Sequence, residues 1–247
     1  MNEQENAPKV AVITGASRGL GLGLAQFFLE QGLKLAVCSR TGCSIEPQEN
    51  LYSEELDVCD ADALERFLQA TVERFGPIDL WINNAGVLEP VKFVRDLDER
   101  ELFDHLAVNV GGVFSGSRSF VNHRREYSGH GVLINISSGA ALKGYAAWGA
   151  YCAGKAAVDR LSECIQLEEA EKGLRVYAVA PGVIDTNMQS KIRSFSENEF
   201  PMVNKFHDIK KNEAFNTPSF VAAKLLEIAF DETARPENVV VRLPSEK

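Results

Sequence analysis

The apolar run Val10-Ala-Val-Ile13 passes without a spacer into Thr14-Gly-Ala-Ser-Arg-Gly-Leu-Gly21. A buried strand must therefore turn through a glycine-rich loop straight into a helix. Gly15 allows the sharp turn, Gly19 lets main chain approach a pyrophosphate, and Gly21 permits close helix–sheet packing. Ser17, Arg18 and Leu20 belong to the same turn. The helix N-terminus beyond it offers free N–H groups and the positive end of its dipole to phosphate. The spacing is Gly-x3-Gly-x-Gly, not the Gly-x-Gly-x-x-Gly of the long dinucleotide-binding enzymes.

The rest of the chain repeats that strand–helix alternation. Strand-like runs are Lys9–Thr14, Leu33–Ser39, Ser53–Val58, Ile78–Asn83, Gly131–Ser137, Leu174–Ala180 and Asn238–Leu243. Helical patterns lie near Leu20–Gln31, Asp60–Phe75, Asp98–Tyr127, Ala150–Lys172 and Pro218–Phe230. Such alternation implies βαβ units, hence an α/β fold with a parallel sheet of about seven strands and helices on both faces. The 247 residues contain no repeat or Pro/Gly/Ser-rich linker, so residues 1–247 are expected to form a single doubly wound domain.

Three segments stand apart from the alternation. Residues 1–8 are polar and acidic and are expected to be disordered. Between Arg40 and Ser53 there is room for a loop and a short turn but not for a crossover helix. Asp185–Asn216 is long, polar and dotted with Phe195, Phe200, Met202 and Phe206, which predicts a substrate-binding lid over 185–216. Met188, Phe195 and Phe206 are candidates for an apolar pocket wall. Trp148 reads equally as pocket lining or as packing, and the loop near Leu88–Val94 is expected to complete the pocket.

Composition narrows the function. A formal charge of −9 disfavours nucleic acid and anionic membranes as partners. No apolar run approaches the roughly 20 residues of a membrane span, and the N-terminus lacks a signal-peptide pattern. A cytoplasmic location is expected. Five cysteines without a CxxC pair and four histidines without ligand spacing predict reduced thiols, solvated or structural imidazoles, and no metal site. Arg124-Arg125 reads as a solvated helix end.

Cofactor choice is set at the end of the second strand, where an acid selects NAD and an arginine accommodates the 2′-phosphate of NADP. Here the strand ends Cys38-Ser39-Arg40, and Arg18 sits in the glycine turn. Two guanidiniums can hold a phosphate by charge-assisted bonds, so NADP(H) is predicted. Tyr151 and Lys155 lie four residues apart, on one face of a helix. A neighbouring ammonium favours the phenolate, which predicts a lowered Tyr151 pKa and a general acid.

Several motifs in order then carry a resemblance: Gly15–Gly21, Asp57-Val58, Asn83-Asn-Ala-Gly86, Asn109, Ser137-Ser138, Tyr151/Lys155 and Pro181-Gly-Val-Ile-Asp-Thr186. Over nearly its whole length the chain resembles the short-chain dehydrogenase/reductase family, with its Rossmann-like domain. The resemblance implies catalytic roles for Asn109, Ser138, Tyr151 and Lys155. Asp57 would accept from the adenine amino group beside Val58, and Asn84, Ala85 and Gly86 would floor the adenine ribose. Pro181, Gly182 and Val183 would bring the chain close to the nicotinamide half, which Thr186 would bond. Asn109 would sit at a helix distortion and link Lys155 to solvent through a water. Strand alternation points Ser137 and Ser138 to opposite faces, so only one serves.

The implied reaction is hydride transfer between NADP(H) and a small or medium ketone, diketone or aldehyde, or the matching alcohol. A narrower reading is a sepiapterin- or benzil-reductase-like enzyme. The alternative is a noncatalytic NADP(H) sensor on the same fold. A homo-oligomer is expected. Many relatives continue past the last strand with segments that tie tetramers together, whereas this chain stops at Lys247, so a dimer through the two long helices is favoured.

Overall fold

The computed structural model describes residues 7–127 and 130–247. The disorder expected of residues 1–8 therefore falls, for residues 1–6, outside the described residues; Ala7 and Pro8 are exposed. Seven parallel strands form one sheet in the order β3-β2-β1-β4-β5-β6-β7. They are β1 (Val10–Thr14), β2 (Lys34–Ser39), β3 (Leu51–Glu55), β4 (Leu80–Asn83), β5 (Gly131–Ile136), β6 (Leu174–Ala180) and β7 (Val240–Arg242).

Alternate residues of the central strands feed two separate cores. Ala11, Ile13, Leu35, Val37, Ile82 and Ile134 face one layer, where α1 (Gly19–Glu30) and α8 (Pro218–Phe230) supply Leu24, Phe28 and Leu225. Val12, Ala36, Trp81, Leu133 and Val176 face the other. There α2 (Ala61–Phe75), α4 (Val113–Glu126) and α5 (Gly149–Glu169) cover the sheet, with Leu64, Phe67, Phe120 and Ile165 inward. Trp81 stacks on Phe120 at 6.0 Å and meets Phe67 edge-on at 6.5 Å. Helix starts are chemically marked. Asp60 accepts from the Ala63 amide, Asp98 and Glu101 form a capping box for α3 (Glu99–Leu106), and Thr217 caps α8 ahead of Pro218.

The structure departs from the sequence expectations in three places. The third strand runs Leu51–Glu55 rather than Ser53–Val58, because Leu51 pairs with Leu35 and the apolar Leu56 and Val58 are buried just after the strand ends. The helix expected over Asp98–Tyr127 does carry the distortion implied for Asn109, a π-helical turn over Ala107–Gly112. Arg124 is no solvated end: it is buried and donates to the Ile78 carbonyl at 2.9 Å, while Arg125 pairs with Glu169. The 185–216 segment carries two helices, α6 (Asn187–Arg193) and α7 (Val203–Lys211), with Phe200 and Phe206 buried against Trp148. The Arg40–Ser53 connection is free of helix, as expected.

Beneath the C-terminal end of the sheet a buried polar network joins strands to helices. Trp81 Nε1 donates to Asn83 Oδ1 at 2.8 Å, Asn83 Nδ2 to Asn135 Oδ1 at 2.8 Å, and Asn135 Nδ2 to Ser162 Oγ at 2.9 Å. Gly116 in α4 makes room for it, since a Cβ there would overlap Asn83 Oδ1. Gly116→Ala should therefore cost about 2 kcal/mol, lowering the thermal midpoint by about 4–8 °C. Gly144→Ala meets nothing within 4 Å and should change stability by less than about 0.5 kcal/mol. Equal midpoints for the two variants would show that the network yields without cost.

Candidate active site

Chain connections leave β1 and β4 in opposite directions, which opens a crevice beyond their C-terminal ends. Its two sides are stitched together. The Thr14 hydroxyl accepts from the Asn84 and Ala85 amides at 3.0 and 3.1 Å, and Asn84 Nδ2 donates to the Thr14 and Gly15 carbonyls at 2.9 and 3.1 Å. Gly15 has φ +72°, and a Cβ on it would lie 2.7 Å from Ala85 Cα. Only glycine satisfies both demands.

A cavity of about 810 Å³ occupies the crevice. All nineteen residues predicted to bind a cofactor line it, from Gly15, Ser17, Arg18, Gly19, Leu20 and Gly21 to Pro181, Gly182, Val183 and Thr186. At one end α1 starts with no side-chain cap and no acid in its first turn, leaving its amides and dipole to the cavity. Arg18 and Arg40 flank that end, both exposed, and neither makes an ion pair among the described residues. Ser39 Oγ is turned to the Gly42 carbonyl at 2.9 Å. Asp57 keeps one carboxylate oxygen on the Cys59 amide at 3.0 Å and leaves the other uncommitted. A turn closed around glycines, free helix amides and two guanidiniums fit an anionic dinucleotide.

At the opposite end Ser138, Tyr151 and Lys155 meet the cavity. The Ser138 hydroxyl oxygen accepts from the Ala140 amide at 3.1 Å, so its proton remains free to be donated. Ser137 points away, to Asp159, as alternation requires. Lys155 is 5% exposed; it donates to the Ile136 carbonyl at 2.7 Å and sits 5.8 Å from the Tyr151 ring centroid. Asn109 does not reach the cavity. It lies fully buried in the π turn, where its Oδ1 accepts from Val87 N–H at 2.9 Å and its Nδ2 donates to Val87 O at 2.8 Å.

Electrostatics at Tyr151 run against the sequence expectation. Burial raises its pKa, and the Ser138 hydroxyl lowers it only in part. Burial also brings Lys155 down to about 8, with Asp159 opposing. Burial is the largest cause of both shifts. Tyr151 therefore stays protonated through neutral pH, as a proton donor must.

Other residues escaped the sequence reading because their partners are distant. Asn216, buried, donates to the carbonyls of Pro181 at 2.9 Å and Pro244 at 3.0 Å, tying the Gly182 turn (φ +82°) to the C-terminal tail. That tail folds back so that Glu246 meets Thr217 at the start of α8. His105 is buried beside Asn109, and His123 is buried with its Nε2 on the Ile78 amide. Trp148 both lines the cavity and stacks on Phe200 at 4.6 Å, 11°. Met188 and Phe206 line the wall with Tyr145 and Ile192, whereas Phe195 packs behind. Asp185 bonds Arg193 of α6 at 3.0 Å and Lys210 of α7 at 2.6 Å, which holds both helices against the Gly182–Thr186 loop.

A doubly wound sheet with a dinucleotide-sized crevice, ending in a serine, a tyrosine and a lysine, defines a class of nicotinamide-dependent oxidoreductases. The chain belongs to the short-chain dehydrogenase family, whose model matches residues 9–197. It is 32% identical over 224 residues to a benzil reductase ((S)-benzoin forming) of Bacillus subtilis, covering 88% of this chain and 91% of that protein. A benzil reductase of Bacillus cereus is 30% identical, covering 95% and 99%. Among solved structures the KRED1-Pglu enzyme superposes with a TM-score of 0.83 at 30% identity, covering 95% of this chain and all of that one. An actinorhodin polyketide ketoreductase variant with NADPH gives 0.82 at 25% identity, covering 98% and 97%. Among the described residues no helix is long and apolar enough to cross a membrane.

The buried ammonium makes a direct prediction. Lys155 is charged below about pH 8 and loses its proton as pH rises through that value. In the free protein its 13Cε resonance should titrate there, clearly below the other lysines. Titration near 10.5, the ordinary lysine value, would mean that water reaches the amine.

Proposed function

We propose that this protein is an NADPH-dependent carbonyl reductase, a homodimer in the cytoplasm, acting on medium-sized apolar ketones, diketones or aldehydes. One observation carries the reading. A single cavity has uncapped helix amides with Arg18 and Arg40 at one end and Ser138, Tyr151 and Lys155 at the other.

Bound along the crevice, the reduced nicotinamide supplies hydride to a substrate carbonyl carbon. Ser138 donates a hydrogen bond to the carbonyl oxygen as negative charge builds there. Tyr151 donates its proton to the same oxygen. Lys155 holds the nicotinamide ribose and stabilises the phenolate that remains. Asn109 fixes the 86–88 segment beside Lys155, and its π turn provides the helix distortion that a water link to solvent requires. Asp57 would accept from the adenine amino group, Asn84, Ala85 and Gly86 would floor its ribose, and Thr186 would bond the nicotinamide half beyond Pro181, Gly182 and Val183.

The aromatic wall of Tyr145, Trp148 and Phe206, closed by Met188 and Ile192 from the 185–216 lid, favours apolar substrates. Similarity to two benzil reductases supports a diketone among them. Exposed Phe103, Phe114 and Leu167, the last 84% exposed, support a dimer through α4 and α5.

Tyr151→Phe keeps the ring and deletes the donor, so turnover should fall at least about 100-fold while NADPH affinity barely changes. Steady-state kinetics with a substrate whose chemistry is rate-limiting checks this. Near-normal turnover would remove Tyr151 from the mechanism.

Cofactor choice gives the second test. Arg40→Asp replaces a phosphate partner with a repelling charge that can also accept a ribose hydroxyl. The NADPH:NADH ratio of kcat/KM should move toward NADH by roughly 100-fold, since a charged bond is worth about 1.5–3 kcal/mol. A wild type that prefers NADH, or an unmoved ratio, would show that Arg40 meets something else.

A further inference from the structure

We propose that His105 is a positioning residue for the proton-transfer group: its imidazole orients the Asn109 amide and braces the Tyr151 ring, resting on the catalytic reading above. The Asn109 side chain is held in one orientation. Its oxygen must face the Val87 N–H, which can only donate, so the amide orientation is fixed. Nδ2 then faces Val87 O at 2.8 Å and the His105 ring, with Nε2 at 2.7 Å and Nδ1 at 3.4 Å; the Glu89 carbonyl, which can only accept, takes the Nδ1 proton at 2.7 Å and leaves Nε2 of the neutral ring to accept.

His105 Nε2 is therefore an acceptor and carries no proton. A relay of oriented bonds results, from Val87 N–H through Asn109 and His105 to Glu89 O. It spans the segment between two main-chain groups of the loop that lines the cavity, and it holds only for a neutral imidazole of one tautomer. Burial favours that neutral form; the bond to Glu89 opposes it in part, and the Lys155 charge favours it again.

Three further contacts place this relay against the reacting groups. The His105 ring meets Tyr151 edge-on, with centroids 6.2 Å apart at 75°. Gly154, one turn along α5 from Tyr151, packs directly on the imidazole: a Cβ there would lie in ordinary contact, 3.5 Å from His105 Nε2. Gly86 lies where a Cβ would be 2.8 Å from Asn109 Oδ1 and 3.8 Å from Lys155 Nζ. His105 and Asn109 are four residues apart and straddle the entry to the π turn, so the same backbone distortion sets both. Without the imidazole acceptor, an Asn109 N–H is left unpaired in a fully buried site.

The test compares His105→Phe, which keeps a ring and removes the acceptor, with His105→Gln, whose Oε1 reaches the Nε2 position and restores it. His105→Phe should lower kcat about tenfold, while KM and the NADPH dissociation constant stay within about twofold. His105→Gln should recover most of that loss. A structural role alone would lower the folded fraction and leave kcat per folded molecule unchanged, and that result overturns the proposal. So does a Gln variant as slow as the Phe variant. Long-range 1H–15N spectra of the wild type test the tautomer without any substitution, and so decide even where His105→Phe does not fold: neutral, Nδ1-protonated His105 is expected, and an Nε2 proton overturns the assignment. The catalytic reading fails separately, by undiminished turnover of Tyr151→Phe.

Discussion

Everything at the crevice depends on the ends of β1 and β4 being held together. They are neighbours whose following segments part to opposite faces of the sheet, so no connection of the chain closes the gap. Asn84 and Thr14 close it, with two side chains satisfying four main-chain groups between them only because Gly15 lets the backbones approach. Buried main-chain polar groups must find partners. Here the partners that satisfy them also define the floor of the cavity.

From that fixed seam the charges follow. The chain carries a formal −9, yet one end of the cavity is lined by Arg18, Arg40 and the unopposed N-terminus of α1. The field of the whole protein repels an anion while the local one attracts it, so an anionic ligand would be confined to one place. At the other end a lysine is buried nearly completely, with its amine on a main-chain carbonyl and its pKa lowered. An ammonium kept there against its desolvation cost is a group held for what it meets in the cavity.

The sequence made the fold legible wherever an element announces itself locally. Val10-Ala-Val-Ile13 and the glycine turn fix the first βα unit, and a parallel sheet of about seven strands follows from alternation. β3 was harder to read because an edge strand with Tyr52, Ser53, Glu54 and Glu55 is half polar, and the apolar Leu56 and Val58 drew the expected boundary forward. Every predicted cofactor residue lines the cavity, most from the loops and turns that follow strand ends, and Tyr151 and Lys155 from α5. What stayed hidden rests on distant partners: Asn216 on Pro181, Arg124 on Ile78, His105 on Glu89. The Tyr151 shift took the wrong sign because spacing reports the neighbour, whereas burial, which outweighs it, belongs to the assembled fold.

The central claim is that this cavity turns over NADPH against a carbonyl rather than merely holding it. The most direct measurement follows NADPH oxidation by the purified protein over a panel of ketones, aldehydes and 1,2-diketones, with the products identified. The account predicts NADPH consumed in equal measure with alcohol formed, and fastest turnover on apolar substrates. Saturable NADPH binding with no alcohol from any carbonyl would contradict it and leave a dinucleotide sensor in its place.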